Sequence, residues 1–319
     1  MHGEKLAVGI DIGGTNIKIG LSTTFGELVA FQSLPLERKA DQSADVTFIC
    51  EAVKNFIKKH SDSYQLVGIG VASPGILDTD RGVVNYAVNL GWNDLRLVEK
   101  MESYLQLDVS LVSDAVAGAL GEQYYTAAGM TNYLYICIGT GVGASFFNNG
   151  KFYKGDLGEA INIGHTSVMY NGVACACGNK GCLEKYVSAS ALAQRARSEV
   201  GEVQTLLSQF AHAPEGLEAH HIYEAAKSGD AYAIKLFREA GELLGTAIVN
   251  CIHLFGVQNV ILGGGMSKAG SLLLEPVREE VATRYGTKKI NILNAAMPSE
   301  SGTIGAATQI FKGKKVGTR

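Results

Sequence analysis

The sequence predicts an α/β protein made of two lobes built on one plan. Three observations carry this. An apolar run at Leu6–Ile10 enters a glycine-rich turn and returns through the alternating segment Ile17–Leu21. The same arrangement restarts where Tyr133–Ile138 and Val142–Phe147 flank a second glycine turn. The length of 319 residues allows about two domains at roughly 150 residues each.

With Leu28–Gln32, the first hairpin reads as a meander of three antiparallel strands. Val46–Lys59 places Phe48, Ile49, Ala52, Val53, Phe56 and Ile57 on one helical stripe. Val67–Ala72 is a buried strand stopped by Ser73-Pro74-Gly75, Leu95–Leu105 a helix and Val109–Val112 a strand. A further helix opens near Asp114 and runs to about Tyr125. After the second hairpin, Val187–Phe255 is mostly helical, broken by a polar loop around His212–Glu218. Val260–Leu262 is a strand ending in Gly263-Gly264-Gly265, followed by a helix to about Tyr285 and a strand at Ile290–Leu293. Gly302–Phe311 reads as the last helix and Lys312–Arg319 as a basic tail. The halves echo each other in element order, not in sequence.

Composition excludes several classes. Lys and Arg number 28 against 31 Asp and Glu, for a net charge of −3, so no basic excess is present to neutralise a nucleic-acid backbone. No apolar run reaches the roughly 20 residues of a membrane span. A strand-like segment begins almost at once, so neither a signal peptide nor a leading domain is expected, and the chain reads as cytoplasmic. Six cysteines are too sparse for a disulfide scaffold. Glycine supplies 39 positions, against an average of about 7%, while proline supplies only 5. Glycine without proline points to a folded backbone that must approach something closely.

Three glycine turns are candidates for that approach. Asp11-Ile12-Gly13-Gly14-Thr15 joins two strands; adjacent glycines let N–H groups face an anion, and Thr15 adds a hydroxyl. Asp11 at the strand end suits a cation held through water. A plain hairpin turn would use Gly-Gly as well. Gly139-Thr140-Gly141-Val142-Gly143 repeats the device at the same point of the second lobe. Neither turn is a Walker loop, since no Gly-Lys-Ser/Thr follows, and Gly139–Gly143 opens no helix as a dinucleotide fingerprint should. Gly264 and Gly265, at a third strand end before a helix, leave room for a flat ring or a sugar. Two threonine-bearing hairpins and a strand–glycine–helix turn suit a nucleotide triphosphate gripped between two lobes.

This arrangement resembles the actin-like ATPase and sugar-kinase superfamily and, more narrowly, the ROK family of bacterial glucokinases, other hexose kinases and sugar-responsive repressors. The resemblance runs from about Leu6 to about Phe311, strongest at Asp11–Thr15, Ser73–Gly75, Gly139–Gly143, Gly164–His165, Cys175–Glu184 and Leu262–Gly265. It implies two ribonuclease-H-like lobes with a cleft between them and a zinc-binding loop in the second. The expected division is 1–117, completed by a C-terminal helix in 302–319, and 118–301 with a helical insertion. Family repressors carry an N-terminal DNA-binding domain, for which no room is expected here, so the kinase branch is favoured. The family often forms dimers, which implies a homodimer as one assembly.

Cys175, Cys177 and Cys182 crowd one glycine-containing stretch, and with His165 they make the ligand set of a closed tetrahedral zinc site. A redox pair or unbound thiols would also explain Cys-x-Cys. The upstream Gly-His and the spacing are similar to the ROK zinc signature. Four protein ligands leave no open position, so the Zn²⁺ would be structural and would orient His165, whose second ring nitrogen could meet a substrate hydroxyl. Cys50, Cys137 and Cys251 sit alone on apolar segments and read as core residues.

Asp114, after the strand Val109–Val112, could simply cap a helix. The resemblance implies the general base that takes the proton of a sugar C6 hydroxyl, although the family's Asn-Asp pair is Ser113-Asp114 here. It likewise implies sugar contacts from Asn89, in Asn89-Leu90-Gly91-Trp92, from His165 and from Glu184. Asn89 could otherwise only turn the chain, and Glu184 only start a helix. Family members usually carry Glu-x-Gly-His; this chain has Asn162-Ile163-Gly164-His165. A carboxylate only accepts, whereas an amide also donates. The expectation is therefore an ATP- and Mg²⁺-dependent hexose kinase, with Asp11, Gly13, Gly14, Thr15, Gly139, Thr140, Gly141, Gly264 and Gly265 on the nucleotide. N-acetylmannosamine or a glycoside is the alternative substrate, and a sugar-binding regulator the alternative class.

Overall fold

The structure, a computed structural model, describes residues 4–60, 64–155, 161–210, 216–286 and 289–312. The chain forms two compact units, one of Met1–Gly129, Lys154–Ala160 and Ser299–Arg319, the other of Met130–Tyr153 and Ile161–Pro298.

The elements follow in chain order. The first unit holds β1 (Lys5–Ile12), β2 (Asn16–Ser22), β3 (Leu28–Pro35), α1 (Val46–His60), β4 (Gln65–Ser73), β5 (Ile76–Asp78), β6 (Val83–Ala87), β7 (Trp92–Leu95), α2 (Leu97–Leu105), β8 (Val109–Ser113) and α3 (Asp114–Glu122). The second holds β9 (Tyr133–Ile138), β10 (Val142–Asn148), β11 (Lys151–Phe152), α4 (Glu184–Val187), α5 (Ala189–Glu199), α6 (Ala219–Lys227), α7 (Ala231–Phe255), β12 (Asn259–Gly263), α8 (Ser271–Tyr285) and β13 (Asn291–Asn294). The chain then returns to the first unit with α9 (Ser301–Phe311).

Within the first unit the main sheet has the order β3-β2-β1-β4-β8, its first three strands antiparallel and the last two parallel to β1. The second unit repeats the plan as β11-β10-β9-β12-β13. Central β1 buries Leu6, Val8, Ile10 and Ile12 together with Ala7 between them, as a strand covered on both faces must. Edge strand β3 alternates half-buried and exposed positions instead. In the second unit α7 starts on Asp230, whose side chain accepts from the Ala233 N–H, and stops at left-handed Gly256. Its face of Leu236, Phe237, Leu244, Ile248 and Ile252 lies buried in that unit's core.

Two details depart from the expected elements. The segment 76–95 forms a small antiparallel sheet, β5-β6-β7, where no strands were expected. Leu95 consequently ends β7, and the helix begins two residues later at Leu97. The expected boundary at 117/118 also falls inside α3, which stays whole in the first unit. The reason is close packing of α3 on α9: a Cβ at Gly121 would strike the Ser301 carbonyl, and one at Gly305 the Ala117 carbonyl. Gly9 and Gly70 admit the backbone of α9 to β1 and β4 in the same way. Part of the expected loop around 212–218 and the tail 313–319 lie outside the described residues. No helix among the described residues is long and apolar enough to cross a membrane.

Candidate active site

In the first unit the turn between β1 and β2 is closed by Gly13 N–H donating to the Asn16 carbonyl at 2.9 Å. Thr15 is exposed at its tip. Asp11, next to last in β1, faces Lys18 on β2, with Nζ 2.9 Å from Oδ2. Gly302, in the first turn of α9, stands against the Asp11 carboxyl; a Cβ there would lie 3.0 Å from it. A carboxylate so placed suits a hard cation such as Mg²⁺, which takes oxygen ligands and keeps several waters.

Asp114 opens α3 but does not cap it. Ser113 is the cap, its Oγ accepting from Val116 N–H at 3.4 Å, while Asp114 Oδ1 accepts from its neighbour Ala115 at 2.7 Å. The half-buried carboxyl is raised to about 6, first by loss of water and then by the charge of Asp11, with Lys18 and the helix N–H groups pulling the other way. That value lies in the range where a carboxylate works as a general base near neutral pH.

Asn89 is exposed on a short 3-10 turn, Val88–Leu90, which left-handed Gly91 terminates. Gly14 is packed beside it: a Cβ on Gly14 would sit 3.6 Å from Asn89 Cβ. Asp11, Gly13–Thr15, Asn89 and Asp114 therefore all belong to one unit.

The second unit holds the remaining expected residues. Thr140 is exposed in the β9–β10 turn. That turn is tied down by one short segment: Glu184 Oε2 accepts from Val142 N–H at 2.9 Å, Ala189 N–H donates to the Gly139 carbonyl at 2.8 Å, and Ser190 Oγ donates to the Thr140 carbonyl at 2.5 Å. A Cβ at Gly141 would stand 2.6 Å from Glu184 Oε2 and would push that carboxylate off the turn. Glu184 thus does begin a helix and also holds the glycine turn.

Immediately before that segment comes the cysteine cluster. The ligand atoms of His165, Cys175, Cys177 and Cys182 all lie within 4.8 Å of one another. Cys177 and Cys182 Sγ are 3.7 Å apart, and Cys175 Sγ is 3.6 Å from His165 Nδ1. Sulfurs held about 2.3 Å from zinc at tetrahedral angles stand about 3.8 Å apart, so the donor set fits the ion. Burial pushes the Cys182 thiol up to about 12, whereas the Asn179 backbone N–H holds exposed Cys177 down. Gly164 packs on β10, where a Cβ would strike the Val142 carbonyl, so His165 is fixed beside the glycine turn as well.

Asn162 is exposed and its side chain makes no capping bond to the 3-10 turn Ile163–His165. After β12, Gly264 takes φ +78° and lies against β9, while Gly265 has no other heavy atom within 4 Å of where its Cβ would be. Cys50 and Cys251 are buried, and Cys137 is half-buried on β9.

Two residues escaped the sequence reading. Lys18 carried a signal, a charge at the polar position between Ile17 and Ile19, directly across the hairpin from Asp11. Arg38 carried none: its guanidinium donates to the Gly14 and Asn89 carbonyls, which are 24 and 51 residues away.

The sequence matches the ROK family over residues 7–312. It is 37% identical over 280 residues to a glucokinase of Halalkalibacterium halodurans, covering 86% of this chain and 85% of that one. It is 30% identical to a xylose repressor of Caldicellulosiruptor bescii, covering 87% of this chain and 70% of that one. Among solved structures, a ROK glucokinase of Streptomyces griseus in complex with glucose and AMPPNP superposes with a TM-score of 0.83 at 30% identity, over 97% of this chain and all of that one. A match spanning nearly all of the chain, with relatives of this identity, establishes that the protein belongs to the ROK family.

Proposed function

We infer that this ROK-family sugar kinase transfers the γ-phosphate of ATP to the C6 hydroxyl of a hexose, with Asp114 as the general base. The observation that carries the reading is the Asp114 carboxyl, relieved of capping duty by Ser113 and raised to about 6 beside Asp11. A base of that strength is ionised at neutral pH yet takes a proton more readily than an ordinary carboxylate.

Phosphoryl transfer asks the protein mainly for positioning and for charge stabilisation. The Gly13 and Gly139 N–H groups close their own turns on the Asn16 and Gly141 carbonyls, which leaves the N–H groups of Gly14 and Gly141, with the hydroxyls of Thr15 and Thr140, to suit the phosphates. Gly265, with open space at its missing Cβ, leaves room for adenosine, and left-handed Gly264 shapes the turn that presents it. Asp11 would hold Mg²⁺, which when bound neutralises charge on the phosphate oxygens. Asn89, His165 and Glu184 are assigned to the sugar hydroxyls, and Asp114 accepts the proton of the attacking one. Zn²⁺ on His165, Cys175, Cys177 and Cys182 would fix the loop and the imidazole without entering the chemistry.

Asn162 favours a second reading of the substrate. Its exposed amide can donate to an acyl carbonyl or a substituted anomeric oxygen, as in N-acetylmannosamine or a glycoside. Losing a charge-assisted bond to a sugar hydroxyl costs about 1.5–3 kcal/mol, roughly tenfold to a hundredfold in affinity. A sugar-binding regulator is the third reading, and the Asp11, Lys18 and Asp114 cluster argues against it, because a sensor has no use for a charged phosphate-transfer centre.

ADP release measured across glucose, mannose, N-acetylated hexoses and glycosides separates the three. Turnover with a hexose that Asp114→Asn abolishes supports the kinase reading; binding without ADP release from any sugar overturns it. A kcat/KM highest for glucose removes the modified-sugar reading.

A further inference from the structure

The connection from β3 to α1 is a small hydrogen-bonded strut. Asp45 N–H donates to the Glu37 carbonyl at 3.0 Å and Lys39 N–H to the Ser43 carbonyl at 2.8 Å, with Arg38 and Ala44 paired across it. At its tip Asp41 accepts from both the Ser43 N–H and hydroxyl, at 2.9 and 2.6 Å, and Gln42 adopts a left-handed φ of +66°.

One side of this strut is tied to the glycine turn. Leu36 N–H donates to the Thr15 carbonyl at 2.8 Å, and Arg38 Nη2 to the Gly14 carbonyl at 2.7 Å. The other side is tied to the Asn89 segment. Arg38 Nη2 donates to the Asn89 carbonyl at 2.8 Å, Ala44 N–H to the Leu90 carbonyl at 2.8 Å, and Trp92 Nε1 to the Ala44 carbonyl at 2.9 Å. Arg38 Nη1 meanwhile holds its own loop through the Gln42 carbonyl at 2.7 Å. One nitrogen of one guanidinium thus bridges the turn assigned to phosphate and the turn assigned to sugar. A planar fork with fixed donors suits this, whereas a lysine has a single centre on a flexible stem.

We propose that Arg38 is a positioning residue that couples hexose binding at Asn89 to nucleotide binding at Gly13–Thr15, so that each ligand preorganises the turn that receives the other. The proposal rests on the kinase reading above. Sugar contacts at Asn89 restrain a backbone whose carbonyl shares its donor with Gly14. The nucleotide then meets a turn whose freedom has already been reduced, which is positive coupling without a large movement. Because Arg38 is exposed, its loss leaves the two carbonyls open to water and strands no buried charge.

The test is calorimetric titration of a non-hydrolysable ATP analogue with Mg²⁺, with and without a saturating hexose that the ADP-release assay has identified. In the wild type the hexose should tighten the analogue by about tenfold, within the usual range for coupled sites. Arg38→Met should reduce that factor to within about twofold while changing the affinity for either ligand alone by less than about threefold. Arg38→Lys should fall between, and Lys39→Met, which removes a charge from the same loop, should keep the coupling. Hydrogen exchange gives an independent readout: hexose alone should slow exchange in a peptide spanning residues 11–17 in the wild type and not in Arg38→Met. Coupling that survives Arg38→Met, or a wild type that binds both ligands without coupling, overturns this inference alone. Wild-type protein that binds neither ligand removes the kinase reading and this inference with it.

Discussion

Lys18 Nζ stands 2.9 Å from Asp11 Oδ2, and the two residues are direct cross-strand partners in the β1–β2 ladder. Both side chains are largely shielded, at 30% and 15% exposure, so the pair is less screened than a surface ion pair. The same ammonium draws the Asp114 carboxyl down, against burial and the charge of Asp11. The cation paired with Asp11 therefore also acts on Asp114. Lys18→Met should let the Asp114 value rise above about 6, moving the acid limb of the kcat/KM profile to higher pH and lowering activity more at pH 6 than at pH 8.5. Parallel profiles for the two proteins would show that Lys18 does not act on the titrating base.

Asp114→Asn should separate catalysis from stability. Removing a general base lowers kcat by about 10²–10⁴-fold, while sugar affinity measured by titration changes little. The stability effect has the opposite sign. The folded-state pKa is raised from 3.8 to about 6, so the folded protein holds this proton more tightly than the unfolded chain does. Ionisation therefore opposes folding: the penalty is absent below the unfolded value, grows as pH rises between the two values, and is complete above the folded one. The asparagine variant should be more stable than the wild type by roughly 2–3 kcal/mol at pH 8, and the difference should fade towards pH 4. Denaturant unfolding at the two pH values checks it, and a variant less stable at pH 8 would contradict the assigned strain.

Metal removal should be felt at the glycine turn. Cys182, one of the four residues suited to Zn²⁺, lies two residues before Glu184, which accepts from Val142, and the same segment goes on to hold Gly139 and Thr140. A strong chelator, or Cys177→Ser, should lower Tm by at least about 5 °C and weaken the ATP analogue. Binding should return with Zn²⁺ and not with added Mg²⁺. Unchanged nucleotide affinity in fully metal-free protein would separate the cluster from the turn.

What the sequence made legible follows from range. The two hairpins were readable because apolar alternation and a glycine turn are local signals, and the cysteine cluster because Cys175, Cys177 and Cys182 fall in one short stretch. The β5-β6-β7 sheet was not, because its strands run three to five residues and β7 carries Asn93 and Asp94 where alternation would show. Asp114 was found by resemblance, yet its release from capping depends on Ser113 Oγ reaching Val116, a rotamer that spacing does not reveal. Arg38 is the extreme case. Its partners are backbone carbonyls, and no residue type announces a carbonyl.

Gly264 and Gly265 offer a contrast that tests the nucleotide assignment in the second unit. Gly264 has φ +78°, and a Cβ there would stand 2.5 Å from the Ile138 carbonyl on β9. Its need for glycine is conformational, so Gly264→Ala should destabilise the fold by about 1–3 kcal/mol whether or not a ligand binds. Gly265 has an ordinary φ and open space around its missing Cβ. Gly265→Ala should therefore leave stability within about 0.5 kcal/mol of the wild type. If adenosine lies over this glycine, the added methyl occupies the ligand's space rather than the protein's, and the KM for ATP should rise while the KM for the sugar stays fixed. Thermal unfolding and steady-state kinetics on both variants decide the matter: a Gly265→Ala enzyme with unchanged KM for ATP would remove adenosine from this turn.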